Sequence, residues 1–189
     1  GLSVGLNTVT VRVTAADGTV VDYLRDVNVP GLSSNKALAV LTVDGVAVSA
    51  GDSVAKPYGT ASVVVVADPA DDLASAAVVG ASGLVTGSNA VVVTVTAEDG
   101  SKATYAFTVV VAKSSNAGVS SITVDGVDRT AVDSAVQVTG KVATSVAVAV
   151  VTSDANATYE VLGATGLSVG LNTVTVRVTA ADGTVVDYL

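Results

Sequence analysis

From Asn172 to Ala180, apolar and polar residues alternate. Val174, Val176 and Val178 fall on one side of an extended chain, and Thr173, Thr175, Arg177 and Thr179 fall on the other. A period of two is the mark of a β-strand with one covered face. No segment carries a sustained i, i+3, i+4 stripe of apolar positions, so no helix is predicted. Asp–Gly pairs at Asp17–Gly18, Asp44–Gly45, Asp99–Gly100, Asp125–Gly126 and Asp182–Gly183 punctuate the pattern. Asp–Gly tolerates the positive φ angles of tight turns, so each pair reads as a hairpin tip. Strands and turns recur every ~8–12 residues, the spacing of an antiparallel sandwich with roughly seven short strands per unit. The fold class expected is all-β.

Four stretches break the alternation: Val63 to Ala67, Ala90 to Val93, Thr108 to Ala112 and Val146 to Val151. A strand that is apolar on both sides tends to be covered on both sides. Two readings stand side by side. Either the outer sheet faces pack on neighbouring units or chains, or the Val and Ala content reflects compositional bias on a tolerant surface.

The chain repeats itself at two levels. Gly1 to Leu24 is identical, residue for residue, to Gly166 to Leu189, an offset of 165. A diverged repeat of half that length lies inside it. Gly83 to Tyr105 aligns with Gly166 to Tyr188 at an offset of 83, and Ser33 to Val46 with Ser114 to Val127 at an offset of 81. Residues 1–32 therefore read as the C-terminal part of a β-sandwich repeat and 33–113 as a complete repeat. Residues 114–189 read as a repeat lacking the end of its last strand. A first residue that is Gly, and ends that fall inside a unit, lead us to expect a window cut from a longer repeating chain.

Composition removes several classes of function. The 189 residues include no Cys, His, Met or Trp, and the formal net charge is −8. Without Cys there is no disulfide, thiolate nucleophile or Cys-based metal site. Without His, the side chain that titrates near neutrality unperturbed is missing. An acidic chain is a poor partner for nucleic acid or an anionic membrane. The apolar runs are far shorter than the ~18–20 residues of a membrane helix, so no membrane insertion is expected.

The pattern Gly87-x-Asn89-x-Val91-x-Val93-x-Val95-Thr96-Ala97-x-Asp99-Gly100, with Tyr105 beyond, is repeated from Gly5 to Tyr23 and from Gly170 to Tyr188. It resembles the end of the bacterial cadherin-like, or immunoglobulin-like, β-sandwich repeat domain, and Leu38 to Val46 and Val119 to Val127 look like that family's opening. One departure is Arg25, which stands where Phe107 does. The resemblance implies tandem antiparallel β-sandwiches, and the inner repeat sets their period at about 82 residues. It also implies an extracellular or cell-surface location in repeat arrays with structural or adhesive roles. It brings no catalytic residues.

Several residues carry candidate chemistry. Asp68, Asp71 and Asp72 form an acidic loop that could begin a Ca²⁺ site, but the glycine-centred DxDxDG loop is absent and a solvated loop tip is the other reading. Asn89 and Asn172 recur at one motif position beside a strand start, where a side-chain amide caps turn backbone. Tyr23, Tyr105 and Tyr188 fit corner tyrosines that bond backbone with their hydroxyls. Asn156-Ala157-Thr158 matches a glycosylation sequon. We assign no catalytic residue, cofactor or metal ligand. The function expected is a structural unit of a long fibre, with other copies of the chain as partners through lateral or strand-exchange packing. The alternatives are an adhesin stalk or a carbohydrate-binding accessory module of a secreted enzyme.

Overall fold

The structure is a computed structural model that describes residues 1–130 and 144–189; residues 131–143, within the predicted 114–189 repeat, lie outside the described residues. The described residues are all-β, with no helix. Residues 1–32 hold β1 (Gly5–Thr14) and β2 (Val20–Val29). Residues 33–113 hold β3 (Leu38–Val43), β4 (Val46–Ala47), β5 (Ser53–Lys56), β6 (Val65–Pro69), β7 (Ser75–Val79), β8 (Gly87–Thr96) and β9 (Lys102–Val111). Described strands beyond these are β10 (Val119–Val124), β11 (Val127–Asp128), β12 (Val148–Thr152), β13 (Thr158–Leu162), β14 (Thr175–Thr179) and β15 (Val185–Tyr188).

β1 and β2 form a two-stranded sheet of their own. β3 lies between β4 and β6, and a four-stranded sheet runs β5–β9–β8–β7. Further on, β10 lies between β11 and β12, and β14 between β13 and β15. The expected antiparallel pairing is interrupted at one edge, where β5 runs parallel to β9 from Ser53↔Thr108 to Lys56↔Val111. Parallel strands need a crossover in place of a hairpin, and β6 to β8 intervene in sequence. The backbone amide of Gly51 donates to the Ala106 carbonyl at 2.7 Å and fastens the approach to β5.

By contact density the described residues form two compact units. One comprises Gly1–Asp52, Val64–Ala81 and Val91–Phe107; its buried apolar residues are Val43, Val91, Val93, Val95, Ala97 and Phe107. The other comprises Ser53–Val63, Ser82–Ala90 and Thr108–Leu189. Its core cluster is Ala117, Ile122, Val150, Val176, Val178 and Ala180, with Val119, Val148, Ala157, Val161 and Tyr188 packed against it.

The unbroken Val runs do alternate in burial. Val91, Val93 and Val95 are buried while Val92, Thr94 and Thr96 are half-buried, and Phe107, Val109 and Val111 alternate likewise with Thr108 and Val110. In the other two runs Val63 and Val150 are buried, whereas Val64, Val66 and Val151 are exposed. Strand geometry thus imposes the period that the letters conceal.

All five Asp–Gly pairs sit at hairpin tips, but they do so in two ways. At Asp44–Gly45 and Asp125–Gly126 both residues have positive φ, 49° and 81° in the first and 48° and 81° in the second. Those values define a two-residue type I′ turn. In the other three tips only the glycine is left-handed. There the chain closes a longer loop, with Ala15, Ala97 and Ala180 accepting from and donating to residues three and four further on.

The inner valines carry the stability. Val93→Ala or Val178→Ala removes two buried methyl groups and is expected to cost about 1–3 kcal/mol. Val64→Ala, on an exposed position, should stay within about 0.5 kcal/mol. Urea unfolding followed by circular dichroism measures the contrast; equal costs at all three positions would contradict the burial described.

Candidate functional site

The stretch that occurs twice, Gly1 to Leu24 and Gly166 to Leu189, builds an amphipathic ribbon. In β1–β2 the register Arg12↔Asp22 and Val11↔Tyr23 fixes which side chains share a face, because directly opposed residues project to the same side. One face carries Val9, Val11, Val13, Val21, Tyr23 and Val27, with Arg25 opposite Val9. The other carries Thr8 hydrogen-bonded to Asp26 at 2.8 Å and Arg12 gripping Asp22 through two bonds of 2.7 Å. β14–β15 repeats the scheme, with Val176↔Tyr188 and Arg177↔Asp187 in register and the same two-point ion pair at 2.8 Å.

The two copies differ in what covers the apolar face. Val176 and Val178 are 3% and 0% exposed, whereas Val11 and Val13, their counterparts, are 54% and 50% exposed. Tyr188 donates its hydroxyl to the Ala117 carbonyl at 3.0 Å, and Tyr105 does the same to the Lys36 carbonyl. Lys36 and Ala117 are themselves equivalent in the repeat. Both tyrosines therefore act as the corner tyrosines expected. Tyr23 is half exposed and bonds its hydroxyl to no described residue. Among the described residues, the apolar face of β1–β2 is thus exposed where that of β14–β15 is covered.

The asparagines close the turn ahead of the ribbon. Asn89 accepts from the Val85 amide at 2.9 Å and donates to the Val85 and Gly87 carbonyls. Asn172 treats Ser168 and Gly170 in the same way, as does Asn7 with Ser3 and Gly5. Each amide imitates a peptide group across a short bend, and the glycine inside it is left-handed, with φ of 102°, 95° and 110° at Gly5, Gly87 and Gly170. Asn89 adds a bond to the Val109 carbonyl at 3.3 Å, so it also fastens the bend to β9.

The acidic loop is not brought together as a cation site. Asp68 lies in β6 opposite Val40 and is exposed. Asp71 accepts from the Ser33 hydroxyl and from the Leu73 amide at 2.9 Å. Among the described residues, no group of three or more Asp, Glu, His or Cys converges to hold a metal ion. The structure also reveals a residue that sequence reasoning missed. Asp154 stands where Asp71 does, receives the Asn156 amide at 2.8 Å and is held by the Ser114 hydroxyl. Sequon residue Asn156 is thus bound up in this turn.

An open hollow of about 620 Å³ is lined by Tyr58, Ser114, Asn116, Asp154 and Asn156 among others. Its polar groups are largely engaged with one another, as the Asn116 amide is with the Ser114 hydroxyl at 3.2 Å.

Removing the amide should show its structural role. Asn89→Ala is expected to cost about 1–2 kcal/mol, more than Asn172→Ala, because it alone loses the bond to β9. Urea midpoints decide the order. Acid provides a second test. The Ser33 hydroxyl holds the Asp71 carboxyl below its ordinary value, the Ser114 hydroxyl does so for Asp154, and Arg12 and Arg177 do so for Asp22 and Asp187. A depressed folded-state pKa stabilises above the unfolded value, near about 3.9, and that stability is lost as pH falls through the folded value. The urea midpoint should therefore be level from about pH 8 to 5 and fall below about pH 4; a midpoint that rises with acid would contradict these bonds.

Neither family models nor curated proteins nor solved structures yielded a match to this chain, so its functional reading rests on its own residues.

Proposed function

We propose that this chain is a non-catalytic structural repeat of a long extracellular or cell-surface fibre, built from tandem immunoglobulin-like β-sandwiches with a period of about 82 residues. One observation carries the reading. Gly1 to Leu24 recurs unchanged as Gly166 to Leu189, and both copies form an antiparallel hairpin with the same Arg–Asp ion pair and the same Asn-closed bend. Copying a whole module builds length directly, and repeat architectures are made in this way. Repeat arrays of this kind stack units that need neighbours to cover their faces. Two compositional features fit. Exposed Val64, Val66 and Val151 offer flat apolar contacts for lateral packing, and a net charge of −8 keeps that packing from running on without limit. A stalk that holds an adhesive domain away from a cell would use the same construction.

Electron microscopy of the native material tests the proposal. Each module should add about 35–40 Å along an axis, from strands of about 3.3 Å per residue plus loops. Val64→Lys with Val66→Lys should thin or separate the filaments without shortening them. Short, single particles at every concentration and salt would overturn the fibre reading.

A further inference from the structure

The first and last residues of the 33–113 repeat are held by bonds that share one arrangement. At the entry, the Asp99 amide donates to the Ser33 carbonyl at 3.0 Å, and the Ser33 amide donates to the Glu98 carboxylate at 2.9 Å. Three residues on, the Lys36 ammonium donates to the Ser101 hydroxyl at 3.3 Å. The Lys36 carbonyl accepts the Tyr105 hydroxyl at 3.0 Å. The contacts climb in step, Ser33 with Glu98 and Asp99, then Lys36 with Ser101 and Tyr105, so the two segments run in the same sense. At the exit, β5 is parallel to β9 from Ser53↔Thr108 to Lys56↔Val111. The Ala112 amide extends that pairing to the Lys56 carbonyl at 2.9 Å.

Parallel neighbours answer tension in a particular way. Pulling at Ser33 draws the entry segment, with β5 behind it, toward its N-terminal side. Pulling at Lys113 draws β9 toward its C-terminal side. Because the paired segments point the same way, these pulls slide one along the other and strain the bonds between them together. An antiparallel pair pulled apart at its open end loses its bonds one at a time. We propose that the repeat is a tension-bearing element, clamped where Ser33–Lys36 and β5 lie along the closing strand β9 and its turn.

The entry half of the clamp is built twice. In the next repeat the Asp182 amide donates to the Ser114 carbonyl at 3.0 Å, and the Tyr188 hydroxyl to the Ala117 carbonyl at 3.0 Å. The hydroxyls of Ser33 and Ser114 hold Asp71 and Asp154 in turn. Lys36 is replaced by Ala117, yet the bond to its carbonyl persists, because that bond uses only main chain. This inference rests on the reading of tandem units strung in line, where any pull passes through each entry and exit, and it says what that construction withstands.

Because the chain contains no Cys, introduced thiols can serve as handles for single-molecule pulling of the full chain. Leu32→Cys with Lys113→Cys loads the repeat along its own path. Thr86→Cys with Lys113→Cys loads the open end of the neighbouring strands β8 and β9, where they unzip. All three positions are exposed. Forced unfolding reports the unfolding rate. At a fixed load the 32–113 pair should unfold at least about tenfold more slowly than the 86–113 pair, since several bonds must fail together. Tyr105→Phe keeps the ring and removes the hydroxyl. It should speed unfolding about fivefold along 32–113, the size of one ordinary hydrogen bond, and leave 86–113 within about twofold. Ser101→Ala, a smaller change on an exposed turn, should act in the same direction if Tyr105→Phe does not fold. Equal rates in the two directions, or variants that speed both alike, would overturn the clamp and leave the fibre reading standing. Slow unfolding along 32–113 in a chain that forms no filaments keeps the clamp and removes the fibre.

Discussion

A β-ribbon with valine on one face and threonine, arginine and aspartate on the other is not at rest in water until the valine face is covered. A hairpin alone is marginally stable, and a third strand or a packed layer is what secures it. Much else in this chain follows from that requirement. The cores are built from small side chains: Val43, Val91, Val93, Val95 and Val109 are fully buried in the earlier repeat, with Phe107 the buried aromatic. Each buried valine contributes modestly, so stability comes from many of them held in strict alternation, and losing one whole face is costly.

Small side chains also leave the strand connections with little hydrophobic glue, and polar fasteners supply what is missing. The Asp99 and Asp182 amides bond the carbonyls of Ser33 and Ser114, each at 3.0 Å. Tyrosine hydroxyls tie Lys36 and Ala117 to the closing hairpins. Serine and aspartate lock the loops at Asp71 and Asp154. Each fastener appears in both repeats, whereas the acidic neighbours Asp68 and Asp72 are replaced by Val151 and Ala155. The acid that recurs is the one with a structural bond. This explains why the loop reads as an acidic cluster in sequence yet behaves as a turn.

The sequence displayed much of the architecture. Alternation at Val174, Val176 and Val178 located β14, the Asp–Gly pairs located five hairpin tips, and Asn89 and Tyr105 had the backbone-bonding roles their positions suggested. Three things were not legible. The two turn classes depend on flanking residues, Val-Asp-Gly-Val against Ala-x-Asp-Gly, a distinction visible only once the strand ends are known. The parallel pairing of β5 with β9 leaves no trace in Ser53–Lys56, because a short strand of alternating exposure looks alike in either direction. The contrast between Val13 and Val178 cannot be read from letters at all. Identical residues have identical propensities, and only their tertiary surroundings separate them.

The Asp–Gly tips have a consequence for chemical durability. An aspartate followed by glycine is prone to ageing, because its carboxyl carbon can be attacked by the next amide nitrogen to close a five-membered imide, which reopens as an isopeptide-linked residue. Here that carboxylate is engaged elsewhere. Asp17, Asp99 and Asp182 accept the amides of Thr19, Ser101 and Thr184, and Asp44 and Asp125 accept those of Val64 and Ala147. Bonds that shape the turns thus also hold the reacting groups apart, so the sites where the backbone would age fastest are the ones the fold immobilises.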